Sequence, residues 1–350
     1  MRLFLYSDVH WSETSSIVRS RGEKYSTRLE NLIRSVNWAE EQAVANSCDA
    51  IVCLGDFFDR PNLTAEEITA LTEIQWADLP HTFLVGNHDA NRNDLSYAST
   101  FALNQFDIVS EPVIKSVGSA DILYLPYLTE DNRKPLSTYF DGCDKMAFRN
   151  KIVLSHNDIA GIWYGAYLSE TGFEVNEILT NCDLFINGHL HNSGYVDDKE
   201  RILNLGNLSG QNFNEDATKY EHYCAVLDTE TMQLTFMVNP YAFNFYKLKV
   251  ETPKDLELSI KLNAVLSIQC PSSLTEKVRA TLQTMNYVSN NRCIVAYRIQ
   301  SYSDASDREI DISELTQLDH LQKFSEYVLS HLDNTKVLRE ELEKVVGYAN

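Results

Sequence analysis

Short apolar runs that stop abruptly at polar, chemistry-bearing residues dominate residues 1–240. Residues 3–6 predict a strand ending at Ser7-Asp8, residues 50–54 a second ending in Gly55-Asp56, and residues 81–85 a third ending in Gly86-Asn87-His88-Asp89. An unbroken apolar run of about 4–8 residues is what a strand covered on both faces requires. Between these runs the spacing becomes helical. Leu29, Leu32, Ile33, Val36 and Ala39 form one stripe of a helix over 25–47. A second helix is predicted over 64–76, with Glu66 and Glu67 in the first turn, where carboxylates meet the positive end of the helix dipole. Strand–helix alternation of this kind predicts a mainly parallel sheet.

The pattern then changes. Short strands are predicted at 108–117, 121–125, 152–154 and 184–186, the last two running into Ser155-His156 and Asn187-Gly188-His189-Leu190-His191. Residues 201–238 read as β structure, with a hairpin of 223–228 and 233–238. The expected organisation is an α/β catalytic unit over 1–244 followed by a small α+β unit over 245–300, where a β-α-β pattern occupies 264–268, 273–285 and 293–299. The polar, acidic stretch SYSDASDRE predicts a linker over 301–312. Two apolar stripes, Leu315/Leu318/Leu321/Phe324/Tyr327/Val328 and Val337/Leu338/Leu342/Val345/Val346, predict a pair of helices over 313–350, broken near Asp333-Asn334.

Composition narrows the class. Hydrophobic residues make up 44% and charged residues 23%, enough to bury a sizeable core. The net charge of -20 is the reverse of the basic footprint of a protein that grips nucleic acid unaided. Seven cysteines without a C-x-x-C pair, one of them (Cys53) inside an apolar run, point to reduced thiols in a reducing compartment. The first apolar stretch is too short for a signal peptide, and no run approaches the roughly 18 apolar residues of a membrane span. The expectation is a cytoplasmic protein with no membrane association.

Five strand ends release residues that bind metals: Asp8-x-His10, Gly55-Asp56-x-x-Asp59-Arg60, Gly86-Asn87-His88-Asp89, Ser155-His156 and Gly188-His189-Leu190-His191. In α/β sheets, sites form beyond the carboxyl ends of strands, so the five ends predict one convergent site. On an extended chain, residues two apart point the same way, so one metal is expected to take both Asp8 and His10, and the His189-x-His191 pair repeats the device. A set of Asp, His and Asn ligands suits Mn²⁺, Fe²⁺ or Zn²⁺ better than an oxygen-rich Mg²⁺ or Ca²⁺ cage. Five of the nine histidines lie in these motifs; His81, His222, His320 and His331 lie outside them and read as non-ligands.

The ordered set resembles the calcineurin-like metallophosphoesterase superfamily over roughly residues 1–240. Within it the chain is most similar to SbcD-type DNA-repair nucleases and to recombination endonuclease subunits of tailed phages. The resemblance implies a β-sandwich flanked by helices and two divalent metal ions, most simply Mn²⁺. One metal would be held by Asp8, His10 and His191, the other by Asn87, His156 and His189, with Asp56 between them. His88 would not be a ligand but would donate a proton to the leaving oxygen or stabilise the developing charge, and an Asp59–His88 pair would orient it. Arg60 is a candidate phosphate contact, Asp89 a residue behind the ligands, and Asn157 one that could face the site. The loop Leu205-Gly206-Asn207-Leu208-Ser209-Gly210 resembles one that lies beside the site in these nucleases. The same resemblance implies DNA as substrate, a homodimer pairing through helix 25–47 or 64–76, and an SMC-like ABC ATPase of the SbcC type docked on helices 313–350. Two rivals remain at this level: a stand-alone phosphatase or small-molecule phosphodiesterase, and a catalytically reduced scaffold. Pro61 following GDxxDR departs from the glycine usual in protein phosphatases, and the intact motif set departs from a degenerate scaffold.

Overall fold

The computed structural model describes residues 1–13, 21–141, 149–164, 167–256, 260–288 and 294–302. The chain begins β1 (Arg2–Tyr6), α1 (Thr27–Ala45), β2 (Ala50–Cys53), α2 (Ala65–Leu71), β3 (His81–Leu84) and β4 (Asp107–Val109). It continues β5 (Val113–Val117), β6 (Ala120–Leu125), β7 (Asn150–Ser155), α3 (Val175–Asn181), β8 (Leu184–Asn187), β9 (Gly194–Tyr195) and β10 (Ile202–Asn204). It closes with β11 (Tyr223–Asp228), β12 (Leu234–Val238), β13 (Asn244–Lys249), β14 (Ala264–Pro271), α4 (Thr275–Val288) and β15 (Ile294–Tyr302).

These strands form two six-stranded sheets. The first has the order β12-β11-β1-β2-β3-β4 and is parallel from β1 through β4; the second has the order β9-β10-β8-β7-β6-β5 and is parallel from β10 through β6. The sheets face each other. Leu3, Leu5, Val52 and Leu84 of the first pack in one core with Ile122, Ile152, Leu154 and Ile186 of the second. The alternate residues Phe4, Tyr6, Ile51 and Phe83 turn outward under α1, against Leu29, Leu32, Val36 and Ala39. Val153, Phe185 and Ile202 pack outward beside Ile178 of α3. Each central strand is therefore buried on both faces, which is why its sequence is an unbroken apolar run. The fold is the α/β sandwich flanked by helices that the sequence predicts.

Two local expectations change. Helix 64–76 is shorter: α2 starts where expected, with Thr64 and Glu67 forming a capping box, but ends at Leu71. Beyond it, side chains of α1 replace the helical ladder: Asn37 accepts from the Gln75 backbone N–H at 2.8 Å and Glu40 from that of Ala77 at 3.0 Å. Trp76 is thereby delivered to a ring cluster with His81, Phe83 and Phe106. The strand expected over 108–117 is two strands, β4 and β5, in different sheets. His81, outside the motifs, donates from a buried ring to Glu40 at 2.8 Å.

A third sheet, β13-β14-β15, is all parallel and carries α4, with its own core of Leu248, Leu266, Ile268, Val278 and Leu282. Residues 301 and 302, within the expected linker, continue β15. The rest of that linker and the expected helices over 313–350 lie outside the described residues. Among the described residues no helix is long and apolar enough to cross a membrane.

Candidate metal centre

The five motif loops meet at one edge of the sandwich because the strands carrying them, β1, β2, β3, β7 and β8, are parallel neighbours within their sheets. The loop after β1 runs beside the loop after β2: Asp8, His10 and Trp11 donate backbone N–H groups to Gly55, Asp56 and Phe57 at 3.1, 3.0 and 2.7 Å. Neither loop is extended. Asp8 (φ 51°), His10 (φ 47°), Asp56 (φ 47°) and His189 (φ 69°) all occupy the left-handed region. Asp8 and His10 converge, as the two-residue spacing predicts, but through left-handed turns rather than an extended strand. The closeness needs glycine: a Cβ on Gly86 would stand 2.1 Å from Asp56 Oδ1, and one on Gly188 would stand 2.1 Å from Ser7 Oγ.

Two ligand trios, Asp8/His10/His191 and Asp56/His156/His189, each gather ligand atoms within 4.8 Å of one another, and His88 forms a third such group with His10 and Asp56. The pair His189-x-His191 therefore divides between the two trios instead of serving one position. Asp56 lies between them, its Oδ2 3.8 Å from His10 Nε2 and 3.1 Å from His156 Nε2. His10 Nε2 and His191 Nε2 are 3.1 Å apart, and each lies 3.8 Å from Asp8 Oδ1. The other oxygen of Asp8 accepts from the Ser7 hydroxyl and the His189 backbone N–H.

Several buried atoms here make no hydrogen bond: Asp8 Oδ1, Asn87 Oδ1, His156 Nε2 and His189 Nδ1. Buried polar atoms without partners are rare in folded proteins and call for an explanation. These four belong to residues in both trios and to Asn87, so bound cations would satisfy them. The electrostatics agree. Burial pushes His10 down, but Asp59 and Asp8 overcome it and raise its pKa to about 10. Burial likewise opposes protonation of His156, and Asp56 raises it to about 9. Asp56 is buried too, yet His156 and His10 hold its carboxyl well below the usual carboxylate range. Without metal, the site gathers protons as substitute cations. The residue set fits two divalent ions.

The residues behind the ligands are placed as follows. Asp89 ties two loops together, accepting from the backbone N–H groups of Phe58 and Gly86, both at 2.8 Å; burial and the nearby Asp56 push it up to about 7. His156 Nδ1 donates to Leu54 O at 2.7 Å, and His189 Nε2 faces Asp158 Oδ1 at 3.2 Å. His191 Nδ1 faces Glu215 Oε1 at 2.8 Å. His88 is exposed; its backbone N–H donates to Asp56 Oδ1 at 2.8 Å, and its ring meets that of His10 edge-on, centroids 4.7 Å apart.

Three further residues singled out in the sequence have the following partners. The Asp59 carboxylate does not orient His88: its Oδ1 lies 3.3 Å from His10 Nδ1, and it is the Asp59 backbone carbonyl that accepts from His88 Nδ1, at 3.0 Å. Arg60 donates to Glu67 at 2.6 Å, Ser12 at 3.2 Å and the Asn62 carbonyl at 3.1 Å. Glu67 is fully buried, and the Arg60 guanidinium is its counter-charge. Asn157 braces backbone rather than facing the site: its Oδ1 accepts from Leu128 N, and its Nδ2 donates to Pro126 O and Ser155 Oγ.

The loop over 205–210 does lie beside the centre, with Leu208 N donating to Ser7 O and Asn207 N to His191 O. His222, unassigned by any motif, pairs with Asn207 Oδ1 at 2.8 Å. Sequence reasoning missed Asp158 and Glu215. Asp158 follows Ser155-His156-Asn157 directly, which was a usable signal; Glu215, 24 positions beyond His191, carries none.

A sandwich of two mixed sheets thus carries neighbouring carboxylate–histidine clusters at one edge, each able to hold a metal ion. Residues 1–193 match the calcineurin-like phosphoesterase family, and the chain belongs to it. It is a metal-dependent phosphoesterase. No curated protein matches the chain. Among solved structures it is similar to a dimetal phosphatase from Danio rerio, at 13% identity over 68% of this chain and 99% of that one, TM-score 0.42. It is also similar to a protein of Thermus thermophilus, at 12% identity over 68% and 98%, TM-score 0.39. A third, described as a novel archaeal phosphodiesterase, is 17% identical over 68% and 99%, TM-score 0.33.

Proposed function

We propose that the chain is a nuclease subunit that hydrolyses DNA phosphodiester bonds with two Mn²⁺ ions, and that residues 313–350 dock an SMC-like ABC ATPase. The observation that carries the two-metal reading is the position of Asp56 Oδ2 between His10 and His156, with unpartnered ligand atoms to either side. The step to DNA is supported by the motif order resembling SbcD-type nucleases and by the residues beyond 244, which a small phosphatase does not need. The net charge of -20 assigns most of the grip on DNA to a partner.

In this reading Asp8, His10 and His191 would hold one ion, Asn87, His156 and His189 the other, and Asp56 would serve both. Bound there, two divalent ions would offset phosphate charge and make a hydroxide available at neutral pH. Asp89 keeps Asn87 and His88 in register with Asp56 by clamping both loops. His88, with Nδ1 committed to the Asp59 carbonyl, keeps Nε2 to protonate the departing oxygen. The acidity of the chain favours one second reading, a stand-alone phosphatase or small-molecule phosphodiesterase.

The test is to offer the Mn²⁺-loaded protein linear duplex DNA, circular single-stranded DNA and a chromogenic phosphodiester. Nucleotide release from either DNA is expected. Cleavage of the small ester alone would overturn the nuclease assignment in favour of the second reading.

A further inference from the structure

Of the four ligand histidines, His191 has the most exposed side chain, at 24%, against 1% for His10, 0% for His156 and 18% for His189. A ring open to water on one side needs a fixed partner on its second nitrogen if it is to present the first in a constant direction. That partner is Glu215, whose side chain is only 2% exposed. Its Oε1 faces His191 Nδ1 at 2.8 Å and accepts from Asn212 Nδ2 at 3.0 Å; its Oε2 accepts from Asn207 Nδ2 at 2.9 Å and the Gln211 backbone N–H at 2.7 Å. Four donors saturate the carboxylate and leave it a single orientation.

The segment carrying Glu215 is in turn anchored outside the sandwich. Gly210 N donates to Phe243 O at 3.1 Å and Ala217 N to Phe245 O at 2.9 Å, so the segment on both sides of Glu215 is tied to β13 or the residue just before it. The position of this carboxylate is thus set by the appended sheet together with the loop over 205–210, which is tied to Ser7, to His191 and to Arg28 and Asn31 of α1.

We propose that Glu215 is a positioning residue for His191, fixing its ring and raising its basicity as a metal ligand, so that the Asp8/His10/His191 position depends on a carboxylate supplied from the β13 side of the molecule. This rests on the two-metal reading above. A buried carboxylate on the far nitrogen of a ligand histidine holds the ring's tautomer and strengthens its donation, and losing such a partner weakens metal binding about 10–100-fold.

The test is calorimetric titration of the full-length, metal-stripped protein with MnCl₂, comparing wild type, Glu215→Gln and Asn212→Ala. Wild type takes up two ions. Glu215→Gln weakens one of the two sites about 10–100-fold and leaves the other unchanged, while Asn212→Ala, which removes one of the four donors to Glu215 and the acceptor of the Asn214 backbone N–H, weakens the same site by less. Wild-type affinity at both sites in Glu215→Gln overturns the proposal alone, as does equal weakening of both sites in step with a lower melting temperature in chelator. Uptake of fewer than two ions by wild type overturns the two-metal reading and this proposal with it. Should Glu215→Gln fail to fold, the Zn²⁺-loaded wild type still decides: a slowly exchanging, downfield His191 Nδ1–H proton resonance is expected, and a fast-exchanging one overturns the proposal.

Discussion

One carboxylate oxygen of Asp59 lies 3.3 Å from Nδ1 of His10, the ring nitrogen turned away from Asp8 and Asp56. Asp59 thus meets His10 through its side chain and His88 through its main chain. Asp59→Asn is expected to weaken Mn²⁺ binding about 10–100-fold while keeping kcat near wild type once metal is saturating. Activity assayed across a Mn²⁺ series separates the two effects. A kcat deficit that persists at saturation would return the Asp59 side chain to His88.

His88 offers the opposite separation. Its backbone N–H, not its ring, holds Asp56, so the side chain can change without disturbing the ligands. His88→Gln is expected to lower kcat by about 10²–10⁴-fold, the usual range for loss of a general acid. Mn²⁺ titration of the same variant should match wild type; a variant with full activity would remove His88 from the reaction.

The raised pKa values of His10 and His156, about 10 and about 9, give metal uptake a definite pH dependence. Both rings are protonated near neutrality in the metal-free protein, and a cation binds only the unprotonated nitrogen. Mn²⁺ affinity therefore climbs with pH until the rings lose their protons. The stability of the metal-free fold runs the other way. A histidine raised in the fold stabilises it fully below its ordinary value of 6.5, and that contribution is lost as pH rises through 9 to 10. Calorimetry in buffers of differing ionisation enthalpy measures the released protons directly. No release near pH 7 would mean the rings are neutral before metal arrives.

Gly86 makes a sterically sharper prediction. A methyl group there would meet Asp56 Oδ1 at 2.1 Å and the Asp56 backbone nitrogen at 2.4 Å, and the second of these is not free to swing aside. Gly86→Ala is expected to cost about 1–3 kcal/mol of stability and to weaken Mn²⁺ binding by displacing the shared carboxylate. Chemical denaturation in chelator and metal titration are the checks, and an unaltered denaturation midpoint would contradict the close approach.

What could be read from the chain follows how local each signal is. Asp8, Asp56, Asn87, His156 and His189 each sit within a few residues of a strand end, and parallel strands bring their ends to one edge, so strand recognition and ligand type sufficed. The partners of the ligand histidines did not yield to the same reasoning. Glu215 reaches His191 through a loop held by β13, and nothing in its neighbours marks it. The choice between side chain and main chain at Asp59 is a rotamer, which residue identity leaves open. Helix 64–76 read too long for a similar reason: Asn37 and Glu40, a helix away, take the donors that would have extended it.

Four residues of the centre, Asp8, His10, Asp56 and His189, hold left-handed backbone, a region that costs most L-amino acids about 1–2 kcal/mol and that Asn, Asp and His enter most readily after glycine. Aspartate and histidine are thus both the side chains with metal-binding atoms and among those such turns tolerate best, so the backbone and the chemistry of the centre ask for the same residue types.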